Sequence, residues 1–376
     1  MSPPNSGLLQ PSCRAAQCRR LAEPRVGKLN RDGKKDDPEC TSGLAAARWP
    51  RAIFPSPGHP GTAYQSLIHL FCLTGGWSND LLARAVALKH PSYRWEEING
   101  ILGELSPQAV TDIANGIKEK GFHVFEQKLS SELCDRLQAF SLSHEAVIRP
   151  MDQETSSTFG DRKAVYDPAS PKGIVYQFEQ DVLVNEAIIQ ALITDRSLIS
   201  VAQAYISSQP VLDEVNLWWS TAYGGKPDAN AAQMYHFDMD RIRWLKFFFY
   251  ITDVGPNNGP HCFVAGSHKT KGIPSSFLDR GYVRISDEEV RTRYARERLI
   301  EFTAPRGTII AEDTRGLHKG LPVLRGHRLM LEFEFSNSLF GATSPHRESR
   351  IQKFHTDNAE RFVRSHPRIY EHWLGN

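Results

Sequence analysis

Residues 233–251 read QMYHFDMDRIRWLKFFFYI. In an extended chain, positions i and i+2 point to one face, roughly 6–7 Å apart, so His236 and Asp238 can grip a single ion. The run LKFFFYI over 245–251 is short, nearly all apolar and β-prone, as a buried strand requires. Two ligands of a 2-His-1-carboxylate site therefore stand at the start of a sheet, and a third must come from elsewhere. Such a triad occupies three corners of an octahedron and leaves three free for a bidentate co-substrate and O₂.

On both sides of this segment the chain continues as short strand-like pieces separated by Gly, Pro and Asn: VYQF from Val175, VNLWWS from Val215, CFVAG from Cys262, LIEFT from Leu299, TIIAE from Thr308 and LMLEFEF from Leu329. This spacing predicts a β-sandwich or barrel. With no helical period evident between the pieces, a parallel βαβ sheet is disfavoured.

The third ligand is sought among fourteen histidines. His318 has the best context, after GTIIAED and a turn bearing Gly316 and before the last strand; His261 and His268 are its rivals. Ten residues on, Arg328 opens LMLEFEF, where its guanidinium can hold a keto acid's far carboxylate in a bidentate grip. The bland alternative pairs Arg328 with Glu332. Asn216 and Trp218 share one face of their predicted strand and are candidates to line the co-substrate cavity, as is Tyr235, with Lys246 a weaker one. Asp240 falls on the face of Asp238, and a salt bridge to Arg241 or Arg243 at the strand's solvent end is its expected role.

Upstream, residues 63–142 carry apolar residues at three and four spacing (Leu81, Leu82, Ala85, Val86; Ile98, Ile101, Leu102, Leu105), which predicts helices. Ser106-Pro107 opens one through Ile117 and Ser130-Ser131-Glu132 another, with a strand from Gly121 between them. Residues 1–60 hold nine prolines and ten Lys or Arg against five Asp or Glu, and are expected to be a disordered tail. Its arginines give a faint transit-peptide character, against a plainer cytoplasmic expectation. The C-terminal stretch RESRIQKFHTDNAERFVRSHPRIYEHW reads as an amphipathic helix packed on the domain or on a sister subunit.

A formal charge of +2 leaves no electrostatic footprint for nucleic acid or an anionic membrane. No apolar run reaches the eighteen or so residues of a membrane span. Six scattered cysteines without a C-x-x-C pair argue against a disulfide scaffold or zinc knuckle. A small-molecule partner is the remaining expectation, and no oligomeric state is legible.

Three stretches resemble the phytanoyl-CoA dioxygenase-like branch of the Fe(II)/2-oxoglutarate oxygenases: QMYHFDMD, NNGPHCFVAGSHK from Asn257, and RGTIIAEDTRGLHKG with Arg328 beyond it. GFHVFEQKLSSELCDRL from Gly121 is similar to the family's first strand and helix, so the resemblance spans roughly 106–340. It departs from the pattern in two places: His318 and Arg328 are one residue closer than usual, and Gly320 stands where serine is common.

The resemblance implies an α+β chain built on a double-stranded β-helix (a jelly-roll, cupin-like core) over about 174–340, inside an oxygenase domain of 106–376 preceded by a helical extension of 61–105. It implies Fe(II) on His236, Asp238 and His318, 2-oxoglutarate on Arg328 (with Arg325 the stand-in), O₂ as oxidant and ascorbate as a stimulant. The expected reaction is oxidation of a substrate C–H bond, usually to an alcohol, with release of succinate and CO₂. Because Asp238 fills its corner, halogenation is disfavoured. A catalytically silent cupin-like scaffold and a protein side-chain hydroxylase are the alternatives.

Overall fold

The computed structural model describes residues 62–150, 162–222, 232–342 and 349–375, so the tail expected over 1–60 lies outside the described residues. Helices lead the described chain, as the three-and-four spacing requires: α1 (Thr62–Thr74) and α2 (Trp77–Lys89). The next stretch corrects the helical expectation for Ile98 to Leu105. It forms a hairpin, β1 (Asn99–Gly100) paired with β2 (Gly103–Glu104). Gly103 sits at φ 82°, and the turn's N–H groups go to a distant helix, Ile101 N to Asp195 Oδ2 and Leu102 N to Ser197 Oγ. Glycine freedom and these acceptors outweigh a local apolar period.

α3 (Pro107–Lys120) starts as expected, Ser106 Oγ accepting from Ala109 N. It ends at Gly121, φ 94°, where a Cβ would fall 2.6 Å from the Phe263 ring, so only glycine fits. β3 (Phe122–Lys128) and α4 (Ser131–Ser143, capped by Ser130) follow. Then come β4 (Glu145–Pro150), β5 (Lys163–Val165) and β6 (Gly173–Gln177).

A second correction concerns the next thirty residues. Three helices, α5 (Gln180–Val184), α6 (Ala187–Ile193) and α7 (Arg196–Ile206), stand among the strands where none was expected. Asp195 caps α7 through Leu198 N. Leu198, Ile199, Val201, Ala202, Tyr205 and Ile206 are all buried, and Ser197, Ser200 and Gln203 are buried with them, so α7 is enclosed nearly all round.

The remaining strands are β7 (Val211–Thr221), β8 (Trp244–Tyr250), β9 (His261–Val264), β10 (Leu299–Phe302), β11 (Thr308–Glu312), β12 (His318–Gly320) and β13 (His327–Ser336). Short helices α8 (Ser275–Leu278) and α9 (Asp287–Arg293) lie between β9 and β10. Eight strands form one sheet in the order β3-β11-β8-β13-β7-β6-β4-β5, and three form a second, β10-β9-β12. Every pairing is antiparallel. The architecture is thus α+β with a jelly-roll core, a large sheet and a small sheet enclosing a cavity.

The outer face of the large sheet packs on the helices. Leu217, Trp219, Leu245, Phe247, Phe249, Leu329, Leu331 and Phe333 join residues of α4, α6 and α7 in one apolar cluster. Each fully buried side chain of this size contributes about 1.5–3 kcal/mol. The C-terminal helix is shorter than expected, α10 (Asp357–Ser365), because Pro367 stops it. Tyr370 and Trp373 are fully buried against the same cluster, so the tail packs on its own domain. Among the described residues, no helix is long and apolar enough to cross a membrane.

Candidate metal centre

His236, Asp238 and His318 converge in the cavity, with one ligand atom from each lying within 4.8 Å of the others. They are held by backbone rather than by a regular strand. The expected strand through His236 is reduced to isolated bridges, Tyr235 to Ile285 and His236 to His318. His236 N donates to His318 O at 3.0 Å, His318 N returns to His236 O at 2.8 Å, and Asp238 N donates to Thr314 O at 2.8 Å. The segment carrying two ligands is thereby stitched to the turn carrying the third.

That turn rests on buried ionic contacts. Asp313 accepts from Tyr205 of α7 and from Arg315, and Arg315 reaches Asp80 of α2 at 3.1 Å. Asp80 also takes Arg243 at 2.6 Å and Thr270 at 2.7 Å. Phe71 of α1 stacks on Phe237, between the two ligands, at 5.4 Å. The helical extension therefore braces the site, a connection without any motif in the sequence. Ser267 of the GSHK turn accepts from Leu317 N, while His268 bonds Lys118 O and does not line the cavity.

Three observations fit the triad to a divalent cation. Each histidine directs Nδ1 at a backbone carbonyl, His236 to Met234 O and His318 to Gly316 O, both at 3.0 Å, which leaves Nε2 as the ligand atom. Burial holds both imidazoles below the ordinary histidine range, so their lone pairs are free at neutral pH. The Nε2 atoms lie 3.7 Å and 3.5 Å from Asp238 Oδ1 and Oδ2, near the about 3 Å between adjacent donors of a six-coordinate ion with bonds of about 2.1 Å.

A fourth observation is charge. Lys246 Nζ, buried, faces Asp238 at 3.1 Å, Asp240 at 3.2 Å, Glu334 at 3.4 Å and Glu332 at 3.9 Å. Burial penalises ionisation of Asp238, but the Lys246 ammonium and the neighbouring imidazoles outweigh it and keep the carboxylate charged. Burial wins at Asp240, Glu332 and Glu334, whose carboxyls are pushed up, and takes Glu214 to about 7. One ammonium faces four buried carboxyls, and a divalent ion held by Asp238 would favour the ionised form of the others. The expected Asp240 bridge to Arg241 or Arg243 is corrected here: Arg241 pairs with Asp213 and Arg243 with Asp80, because Asp240 faces the interior and not solvent.

The cavity, about 310 Å³, is lined on the large sheet by Gln177, Trp218, Ser220, Lys246, Arg328 and Glu332, and on the small sheet by His261, His318 and Gly320. Arg328 is buried and donates to Gly259 O and, at 3.3 Å, to Ser220 Oγ; it does not pair with Glu332. Gly259 must be glycine, since φ is 70° and a Cβ would fall 2.6 Å from Leu321 O. Arg325 is exposed and outside the cavity. Asn216 is not among the lining residues; its amide joins Gln177 and Gln180 to Glu214 and Glu332. Tyr235 lies behind the wall under Lys319.

No protein-family model matches the chain, and no curated protein does. Solved structures overlap it in part. AviO1 from Streptomyces viridochromogenes Tue57 is 16% identical over 64% of this chain and 100% of that one, with a TM-score of 0.42. EctD from S. alaskensis with bound Fe is 17% identical over 70% and 83%, TM-score 0.44. HygX from Streptomyces hygroscopicus with nickel and 2-oxoglutarate bound is 15% identical over 63% and 89%, TM-score 0.43. The fold and site together define the class: a jelly roll enclosing a buried 2-His-1-carboxylate triad whose ligand atoms could hold a metal ion.

Proposed function

We propose that the chain is an Fe(II)- and 2-oxoglutarate-dependent dioxygenase, of the phytanoyl-CoA dioxygenase-like branch, that hydroxylates a C–H bond of a small organic substrate. The observation that carries this reading is the placing of His236, Asp238 and His318 in one cavity with a buried Arg328. His236, Asp238 and His318 would hold the iron and leave one face of it open to the cavity. Iron so held supplies dioxygen activation coupled to decarboxylation of the keto acid. Arg328 would orient the keto acid by its far carboxylate, already placed by Gly259 O and Ser220 Oγ. Lys246 would hold Asp238 in its ionised, ligating form. Trp218, half-buried, and Met330, buried, would present an apolar wall to the substrate and help to keep bulk water from the reacting carbon.

The test is an anaerobic titration of metal-free protein with Fe(II) and then 2-oxoglutarate, following the visible charge-transfer band. The band should form in the native protein, vanish in His236→Ala, and need at least about tenfold more 2-oxoglutarate in Arg328→Ala, the loss expected for a charged hydrogen-bond pair. A folded protein without any band overturns the reading and leaves a cupin-like scaffold. A band with turnover that appears only on a protein partner points to side-chain hydroxylation.

A further inference from the structure

We infer that His261, backed by Glu312, is a second anchor for the co-substrate's far carboxylate, donating to it from Nδ1 beside Arg328. This rests on the proposed function above. It is carried by register: in the pairing of β12 with β9, Gly320 lies directly opposite His261, and the two face the same side. A Cβ on Gly320 would meet only Arg328 Nη2, at 3.9 Å, so the wall beside that guanidinium is open where Gly320 stands. His261 fills the facing position and lines the same cavity. Arg328 donates to Gly259 O, two residues from His261, which fixes the guanidinium and the β9 strand side by side.

The imidazole is held in one orientation. Phe248 lies 4.8 Å from its ring centre and Phe302 stacks at 6.0 Å. Nε2 meets Glu312 Oε1 at 2.9 Å, whereas Nδ1 has no bond to any of the described residues and is not among their buried unsatisfied atoms. Glu312 is fully buried, and burial pushes its carboxyl up to about 8. A protonated Glu312 donates to Nε2, which places the ring's hydrogen on Nδ1, so the chain of donors runs Glu312 to His261 to an anion in the cavity. His261 is a positioning residue: it contacts the co-substrate and no reacting atom.

Asparagine places an amide near the Nδ1 position of histidine, and glutamine places one near Nε2, so the two substitutions separate the roles. 2-Oxoglutarate is titrated anaerobically into Fe(II)-loaded protein, and Fe(II) affinity and thermal unfolding are measured on the same samples. His261→Gln keeps the Glu312 contact and should weaken 2-oxoglutarate at least about tenfold with Fe(II) affinity unchanged; His261→Asn should bind it more tightly than His261→Gln. Adding Gly320→Ser to His261→Gln supplies a hydroxyl next to Arg328 and should recover part of the affinity. A structural role predicts the reverse order, glutamine tolerated and asparagine not. That order, or a loss in His261→Gln that also lowers Fe(II) affinity and is not relieved by Gly320→Ser, overturns the inference. Absence of 2-oxoglutarate binding in the native protein sinks the dioxygenase reading itself, a different result.

Discussion

The two faces of the large sheet are made by alternate residues of the same strands, yet they are chemical opposites. On β13, Leu329, Leu331, Phe333 and Phe335 face the helices, while Arg328, Met330, Glu332 and Glu334 face the cavity side. On β8 the split is Leu245, Phe247 and Phe249 against Lys246, Phe248 and Tyr250. In an ordinary half-buried sheet the polar face meets water. Here the inner face is largely closed to water as well, and it carries a row of ionisable side chains across four strands: Glu312, Lys246, Glu334 and Glu214 are successive cross-strand partners. The outer face supplies stability, whereas ionised groups buried on the inner face cost free energy unless paired.

The largest effect that sharpens this contrast is expected at Lys246. Lys246→Met removes the only ammonium within reach of Asp238, Asp240, Glu332 and Glu334 among the described residues. Breaking a buried charge network by deleting one partner costs about 3–5 kcal/mol. Denaturant unfolding of the metal-free variant should show a loss of that order, and saturating Fe(II) should recover more stability in the variant than in the native protein. Equal metal-induced gains in both would break the idea that Lys246 and the ion balance the same carboxylates.

The outer face provides the matching test. Phe333→Ala leaves a void between the sheet and α7 and should cost about 3–5 kcal/mol by transfer and cavity terms. Its Fe(II) affinity should stay at the native value, because no ligand or ligand-supporting bond is touched. A folded Phe333→Ala protein with weakened iron binding would mean that the two faces are energetically one unit.

This contrast also explains what the sequence disclosed. LMLEFEF declared a strand through its alternation and LKFFFYI through its apolar, aromatic run, while the spacing of His236 and Asp238 placed both on one face of the chain. Periodicity separates two faces but does not say which one is wet, so Lys246 read as a weak cavity candidate and Asp240 as a solvent-end partner. The lone lysine inside LKFFFYI, with two glutamates in LMLEFEF, was the available signal: charges of opposite sign in strands otherwise too apolar for a surface. The helices over 180–206 left less signal because α5 and α6 are only five and seven residues long and α7 buries Ser197, Ser200 and Gln203 among its apolar residues. The Asp80–Arg315 contact joins residues 235 positions apart and leaves no local trace.

The smallest expected effect lies in the pH dependence of the inner face. An unfolded glutamate titrates at about 4.3, whereas burial raises Glu312 to about 8 in the fold. Between those values the folded state binds more protons than the unfolded one, so this group's contribution is fully present at acid pH and is lost as pH rises through that window. Glu312→Gln keeps a neutral donor toward His261 and cannot ionise. Metal-free stability, measured by urea unfolding from pH 4.5 to 8.5, should therefore fall less steeply in Glu312→Gln than in the native protein. Part of the slope should persist in the variant, because Glu214, raised to about 7, titrates in the same range with the same sign. Identical slopes would mean that Glu312 is already ionised in the fold, its charge met by a protonated His261, and the inner face would then hold one more ion pair rather than one more neutral donor.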